Sequence, residues 1–387
     1  MDKKLEKPRF KVCFISLASR SLLTDKDWGY VGGAEVQQVE LAKELKKRGH
    51  EIFFITYGES NSNFEKISGI EIIPAYDISR VSKLGFLSKA IYIWKRMKEV
   101  DADIYFYRSG SPGVAALFGL FFQKKVIRLI SSDSDVTGKA IIRRNSVIDW
   151  VVDIGNWFDI KLSDAVVSQN KFQKKKLKRN YGVESIEIKN AFHISPEDKS
   201  ESQHNYVLWV GKIREVKQPS LFLEIAKYFP EHKFLMIGGK AYNEPRLFYK
   251  IKKDSQRIIN INFVGFIPHS KIFGYYKRAI LLVNTSKIEG FPNVFLEAWM
   301  HSTPVISLNI DPDGIISKYK LGYHSKSFDQ MINDVKTLLK NPELRQIMGG
   351  NGRNYIKTNH DIKKAADQYE NLIKNLLKNS FINKNKY

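Results

Sequence analysis

The chain has 387 residues, too many for one ordinary hydrophobic core, so two domains are the default expectation. Hydrophobic residues make up 43% of it and charged residues 27%, the proportions of an ordered globular protein rather than a disordered or fibrous one. Against 41 acidic residues stand 63 lysines and arginines, a net charge of +22; this admits nucleic acid, an anionic membrane face or phosphorylated small molecules as partners, or a lysine-rich composition with no partner behind it.

The first nine residues are polar and lead only into a short apolar run, so no secretory signal is read there. Lys11 to Leu17 is a predicted strand. Its Cys13 is the single cysteine, which excludes an intrachain disulfide and fits a buried structural thiol in a reducing compartment. Trp28 to Glu35 follows, with Gly32 and Gly33 able to let backbone approach a bound group at a helix start. The spacing of Val36, Val39, Ala42 and Leu45 predicts a helix over Gly33 to Lys47, ended by Gly49. Further strands are predicted at Glu51 to Thr56, Asp103 to Tyr107, Val126 to Ile130 and Ala165 to Ser168. Strands alternating with helical patterns imply a parallel, doubly wound α/β sheet. The longest apolar stretch, Val114 to Phe122, is far below a bilayer span.

Arg108 closes the strand Asp103 to Tyr107, where it suits a phosphate or an acceptor carboxylate; an ordinary salt bridge is the alternative. Ser131 to Asp135 reads SSDSD, placing Asp133 and Asp135 on a loop toward an acceptor or donor sugar. The string DSD also matches a metal-binding DxD, but turn formation is the commoner use and no metal is expected. Lys171 to Arg179 is a helical pattern with Lys171, Lys174, Lys175, Lys176, Lys178 and Arg179 on most of its faces. That is either a solvated surface or a contact for anionic lipid headgroups.

Around Ser195 to Gln203 the pattern breaks into a polar run of linker composition. A second alternating series then begins, with strands at Tyr206 to Val210, Lys233 to Ile237, Ile259 to Val264, Ala279 to Asn284 and Thr303 to Ser307. The expected division is residues 1–192, a linker over 193–204, a second α/β domain over 205–361, and a C-terminal helix and tail over 362–387 that can pack back on the first domain. The tail from Lys378 is expected to fray.

The chemistry concentrates in the second half. Trp209 to Pro219 is a strand, a glycine turn at Gly211, and the cations Lys212, Arg214 and Lys217. Departure of a nucleoside diphosphate builds charge on its β-phosphate, which fixed cations stabilise without a metal. Such a string alone is ordinary surface, but beyond the carboxyl end of a first strand it lies where open α/β sheets bind ligands. Asn284 to Gly314 carries Glu289 and Glu297 eight residues apart across a strand-loop-helix junction. Gly290, Phe291 and Pro292 form the loop; Pro292 or Asn293 opens the helix, whose free N–H groups suit a diphosphate. Glu297, a turn inside, can accept from ribose hydroxyls, and Glu289 can reach the transferred sugar.

GGAE, GKIREVKQP and NTSKIEGFPNVFLEA together resemble family 4 of the retaining glycosyltransferases, glycosyl transferases group 1. SDAVVSQNKFQKKKLKRNYG and IKNAF extend the resemblance over almost the whole chain. It implies the GT-B fold, two Rossmann-like doubly wound domains facing across a cleft. It also implies a metal-independent retaining hexosyltransferase with a nucleotide-diphosphate sugar as donor and no cofactor. Glu289 would contact donor sugar hydroxyls, Glu297 the ribose, and Lys217 with Lys212 the diphosphate. Gly33 would lie against the phosphates or acceptor, Gly265 and Phe266 would line the nucleobase pocket, and Val294 would lie at the donor helix start. A glycan or lipid-linked acceptor, as in bacterial surface polysaccharide synthesis, and a cytoplasmic location with peripheral contact at the inner membrane face follow. Many members carry a histidine on the loop after the strand Val126 to Ile130; here that loop has none, and its role does not carry over. A nucleotide-sugar epimerase of the same fold is the nearer rival. A basic nucleic-acid-binding protein leaves the glutamate pair unexplained.

Overall fold

A short apolar strand flanked by amphipathic helices buries both its faces only inside a parallel sheet covered on each side. The computed structural model, which describes residues 9–24, 32–58, 64–77, 85–108, 113–137, 147–194, 205–241 and 244–384, shows two such sheets. The first contains β1 (Lys11–Ile15), β2 (Glu51–Tyr57), β3 (Glu65–Ile67), β4 (Ile70–Tyr76), β5 (Ile104–Tyr107), β6 (Lys125–Leu129), β7 (Ala165–Ser168) and β8 (Ile186–Glu187). Their order is β3-β4-β2-β1-β5-β6-β7-β8, parallel except for the β3–β4 pair. The second sheet contains β9 (Tyr206–Val210), β10 (Phe234–Ile237), β11 (Ile261–Gly265), β12 (Ala279–Asn284), β13 (Val305–Ser307) and β14 (Gly322–His324), in the order β11-β10-β9-β12-β13-β14 and parallel among its described pairs. In each sheet the strand order reverses beside the first strand. That leaves a crevice at the carboxyl ends of β1 and β5, and another at those of β9 and β12.

Five helices bear on the site: α1 (Gly33–Lys47), α2 (Lys171–Tyr181), α3 (His269–Lys277), α4 (Asn293–Met300) and α5 (Ile362–Lys384). Val39, Ala42 and Leu45 of α1 pack on the first sheet's core, but Val36, one turn earlier, belongs to the second domain's core with Phe291 and Phe295. The start of α1 therefore reaches across the domain boundary. Asn170 caps α2 by accepting from the Gln173 amide at 2.8 Å, and Gly182 ends it at φ 63°.

Helix α5 returns to the first domain. Ile362, Ala365, Ala366, Leu372 and Ile373 enter its core, and Arg48 holds Asp367 at 2.6 Å and Glu370 at 3.3 Å. The helix runs to Lys384, a turn and more past the point where fraying is expected, and residues 385–387 lie outside the described chain. The chain crosses between domains twice, and the crossings pair: Phe192 donates to the His360 carbonyl at 3.0 Å and accepts from the Ile362 amide at 3.1 Å. The expected linker core, 195–204, and Trp28 to Val31 of the glycine loop lie outside the described residues. Strand β4 escapes sequence reading because Pro74 interrupts it. Among the described residues β3 pairs only with Ile70 to Ile72, so none of them on that side requires the proline's missing N–H.

Candidate active site

The second sheet's crevice holds the loops that follow β9 and β12. Their backbones are stitched together: the Lys287 amide donates to the Val216 carbonyl at 2.8 Å, and the Thr285 hydroxyl donates to the Lys217 carbonyl at 2.7 Å. The Trp209 indole N–H fixes Thr285 from below at 3.0 Å. This places the Lys217 ammonium in hydrogen-bonded contact with the Glu289 carboxylate, which also accepts from the Ser286 hydroxyl at 2.8 Å. Both side chains are partly open, at 25% and 15% exposure, so a ligand in the crevice reaches them.

Pro292 occupies the N-cap of α4, and no side chain caps that end. The helix start, with its unanswered amide dipole, lies directly beyond Glu289 and faces the first domain. The loop Glu289 to Asn293 is held there from the other side. Phe291 N–H donates to Gln169 Oε1 at 3.1 Å, Asn190 Nδ2 donates to the Phe291 carbonyl at 3.3 Å and to Asn293 Oδ1 at 3.0 Å, and Asn170 Nδ2 reaches the Gly290 carbonyl at 3.5 Å. Asn293 Nδ2 in turn donates to the Gly33 carbonyl at 2.6 Å. Gly290 is required for this approach, because a Cβ there would stand 2.8 Å from the Ser131 carbonyl oxygen. Gly33, the expected phosphate or acceptor contact, thus sits against Asn293 at the seam of the two domains.

Glu297 is placed differently from its partner glutamate. It is 3% exposed, accepts from the Tyr276 hydroxyl at 2.6 Å, and lies 2.9 Å from His269 Nε2. Burial pulls the His269 imidazole down, but the bond to and charge of Glu297 outweigh it and leave the pKa above its ordinary value. His269 stacks on Phe192 and meets Phe273 edge-on, which fixes its ring. Neither His269 nor Tyr276 carries a signal in a single sequence, since both read as ordinary residues of an amphipathic helix.

The remaining candidates divide. Gly211 follows β9, and its carbonyl crowds Gly238, where a Cβ would come within 2.3 Å of it. Lys212 is well enough buried that its pKa falls, with Glu35 across the domain boundary acting against that drop and Arg214 with it. Arg214 pairs with Glu244 at 3.3 Å. Gly265 has φ +84° and swings the chain at the end of β11, so that Phe266 packs within 3.2 Å of where a Cβ on Gly239 would lie. Val294 packs on the second core. Asp133 stays at the seam: its amide donates to the Glu289 carbonyl at 3.4 Å, and its carboxylate accepts from Gln173 Nε2 at 2.9 Å. Burial, against that hydrogen bond, pushes the Asp133 carboxyl up to about 6. Asp135 has a structural use. One of its oxygens accepts from Ser131 N, Ser131 Oγ and Ser132 N at 2.9, 2.7 and 3.1 Å, so it closes its own turn. Arg108 is 4% exposed and behind the seam, with one long bond to the Ala34 carbonyl at 3.4 Å.

Two family models match the chain consecutively: Glycosyltransferase Family 4 over residues 31–189 and Glycosyl transferases group 1 over residues 192–355. The chain belongs to the family 4 glycosyltransferases. This glycosyltransferase is 20% identical over 89% of its length to an uncharacterized glycosyltransferase of Haemophilus influenzae, of which it covers 97%. It is 24% identical to the alpha-monoglucosyldiacylglycerol synthase of Acholeplasma laidlawii, with 81% of this chain and 86% of that one aligned. Among solved structures, the sucrose-phosphate synthase of Thermosynechococcus elongatus superposes with a TM-score of 0.77 at 16% identity, covering 94% of this chain and 98% of that one. Anabaena HepE in complex with UDP-glucose gives 0.70 at 14%, covering 95% and 100%. The GT-B architecture is therefore that of the glycosyltransferase, two α/β domains meeting at the loop Glu289 to Asn293. None of its described helices is long and apolar enough to cross a membrane.

On α2 the cations Lys171, Lys174, Lys175, Lys178 and Arg179 are exposed, while Lys176 is half-buried over the Phe172 ring. Only Gln173, Leu177 and Tyr181 face inward. The basic surface of the glycosyltransferase thus begins one turn from Asp133 and Gly290.

Proposed function

We propose that this glycosyltransferase transfers a hexose, with retention of anomeric configuration and without a metal, from a nucleotide-diphosphate sugar to a hydroxyl of a glycan or lipid-linked acceptor. The observation that carries the reading is the convergence of Lys217, Glu289 and the uncapped start of α4 at the switch point of the second sheet. In this reading the diphosphate lies between the α4 amides and Lys217, with Lys212 behind it. As the bond from anomeric carbon to phosphate oxygen breaks, the two lysines stabilise the charge gathering on the β-phosphate. The acceptor hydroxyl attacks the same face of the sugar, and its proton passes to the leaving phosphate, so no separate base is needed. Glu289 orients the sugar hydroxyls, while Gly265 and Phe266 flank the base. Relatives named for O-antigen biosynthesis in Escherichia coli and for glycolipid synthesis in Acholeplasma laidlawii support an acceptor of that kind. The exposed cations of α2 support peripheral contact with an anionic membrane face.

The test is a thermal-shift screen over UDP-, GDP- and ADP-sugars, because a ligand that binds only the native state raises its melting temperature. One donor class is expected to stabilise the protein, and NMR of the transferred anomer in the presence of EDTA then reads the stereochemistry. Inversion of the anomer, or conversion of the nucleotide sugar without an acceptor, overturns the reading.

A further inference from the structure

Arg108 and Gln37 line a small, partly open cavity of about 20 Å³ behind the domain seam. The cavity lies between α1, the first interdomain crossing at Lys189, Asn190 and Ala191, and Ala365 and Tyr369 of α5. Arg108 is 4% exposed and Gln37 7%. Among the described residues, Arg108 Nε and Gln37 Nε2 are both without a hydrogen-bond partner, and the guanidinium bonds only to a neutral carbonyl. Arg128 lies next to it and donates to the Arg108 carbonyl, adding a second positive charge. Glu35 and Asp135 act on Arg108 only from a distance.

A buried guanidinium without a counter-charge is costly, and a water filling the space answers its donors but not its charge. The space holds one particle of about water's dimensions, which suits a monatomic anion better than a carboxylate or phosphate group. We propose that the cavity binds a single halide-sized inorganic anion, chloride in solution, held by Arg108 and Gln37. The anion ties α1, the first crossing and α5 together at the point about which the domains bend. Arg108 is therefore an anion ligand of the hinge, and the acceptor lies elsewhere.

Melting temperature is measured in sodium chloride and in sodium gluconate at equal ionic strength, and crystals grown with sodium bromide are examined for anomalous scattering beside Arg108. Chloride is expected to raise the melting temperature saturably by a few degrees over gluconate, and a bromide peak is expected in the cavity. Gln37→Glu keeps the acceptor that serves the Ala191 amide at 2.8 Å and builds a carboxylate into the cavity, so its melting should no longer distinguish the salts. Arg108→Met should lose the distinction too; if that variant does not fold, Gln37→Glu decides. Equal melting of the native protein in both salts, or a chloride effect that survives in Gln37→Glu, overturns the proposal.

Discussion

Gly290→Ala tests the closed seam with one methyl group. Gly290 is outside the left-handed region, so alanine suffers no backbone penalty and the effect is one of space alone. The new Cβ would meet the Ser131 carbonyl oxygen at 2.8 Å, Gln173 Nε2 at 2.9 Å and Gln169 Oε1 at 3.2 Å. The two glutamine ends can rotate, but the carbonyl is fixed at the end of β6, and an ordinary carbon–oxygen approach is about 3.3 Å or more. The seam has two ways out. It can absorb the shortfall as overpacking at about 1–3 kcal/mol, or it can open and lose the bonds from Gln169, Asn170 and Asn190 to the loop and from Asn293 to Gly33, each worth about 1 kcal/mol. At about 1.4 kcal/mol per tenfold, overpacking lowers kcat/KM roughly five- to a hundredfold and opening, with at least four such bonds lost, about a thousandfold, if transfer needs the closed arrangement. The control is Gly350→Ala, in the helix Pro342–Asn359, where nothing lies within 4 Å; it should be neutral or stabilise by about 0.4–1 kcal/mol. Steady-state kinetics with melting curves for both variants read the contrast. Unchanged kcat/KM and melting in Gly290→Ala would refute the seam.

Glu297→Ala should weaken donor binding by roughly 1.5–3 kcal/mol in calorimetry. It should also destabilise the fold by about 1–3 kcal/mol, because the buried Tyr276 hydroxyl loses its acceptor, whereas Glu297→Gln retains one; nucleotide affinity equal to native in both variants removes Glu297 from the donor site. Turnover should survive EDTA, and activity lost to EDTA and restored by manganese would reassign Asp133 and Asp135. For Asp133 the folded pKa stands above the unfolded one, so the native state holds the proton more tightly and stability is lost as pH rises from about 4 to about 6. Asp133→Asn should therefore stabilise the protein by about 1–2 kcal/mol at pH 8 and leave it unchanged below pH 4 in denaturant titrations. Finally, the protein should pellet with anionic vesicles at low salt and be released at 1 M, where the Debye length shrinks to about 3 Å. Replacing Lys174, Lys175 and Lys176 by glutamate should abolish pelleting with donor affinity intact, and a native protein that ignores such vesicles makes α2 a solvated face.

Most of the second sheet is legible in the sequence because its strands are continuous apolar runs bounded by turn residues, as parallel strands must be. Tyr206 to Val210 and Ala279 to Asn284 match residue for residue. The first sheet is harder where Pro74 breaks its pattern, and β8 and β14, of two and three residues, are too short to show any period. Glu289 and Lys217 are readable because motif and strand end coincide. The contacts of Arg214 are not, because its pairing with Glu244, thirty positions away, is long-range and local spacing does not encode it. The same holds for Glu297, whose partners come from α3, and for Arg108, whose position at a strand end hides the helices closing over it.

The paired crossings at Phe192 and His360 to Ile362 constrain how the two halves can travel. One covalent tether would allow swivel, twist and shear alike. Two tethers hydrogen-bonded side by side act like two pins on one door frame, leaving a swing about the line between them as the soft motion. Cutting the return strand near Asp361 would release one pin and leave α5 on the first core, held by its own side chains and by Arg48. Ending the chain there would take α5 away as well and leave the halves on a single loose tether.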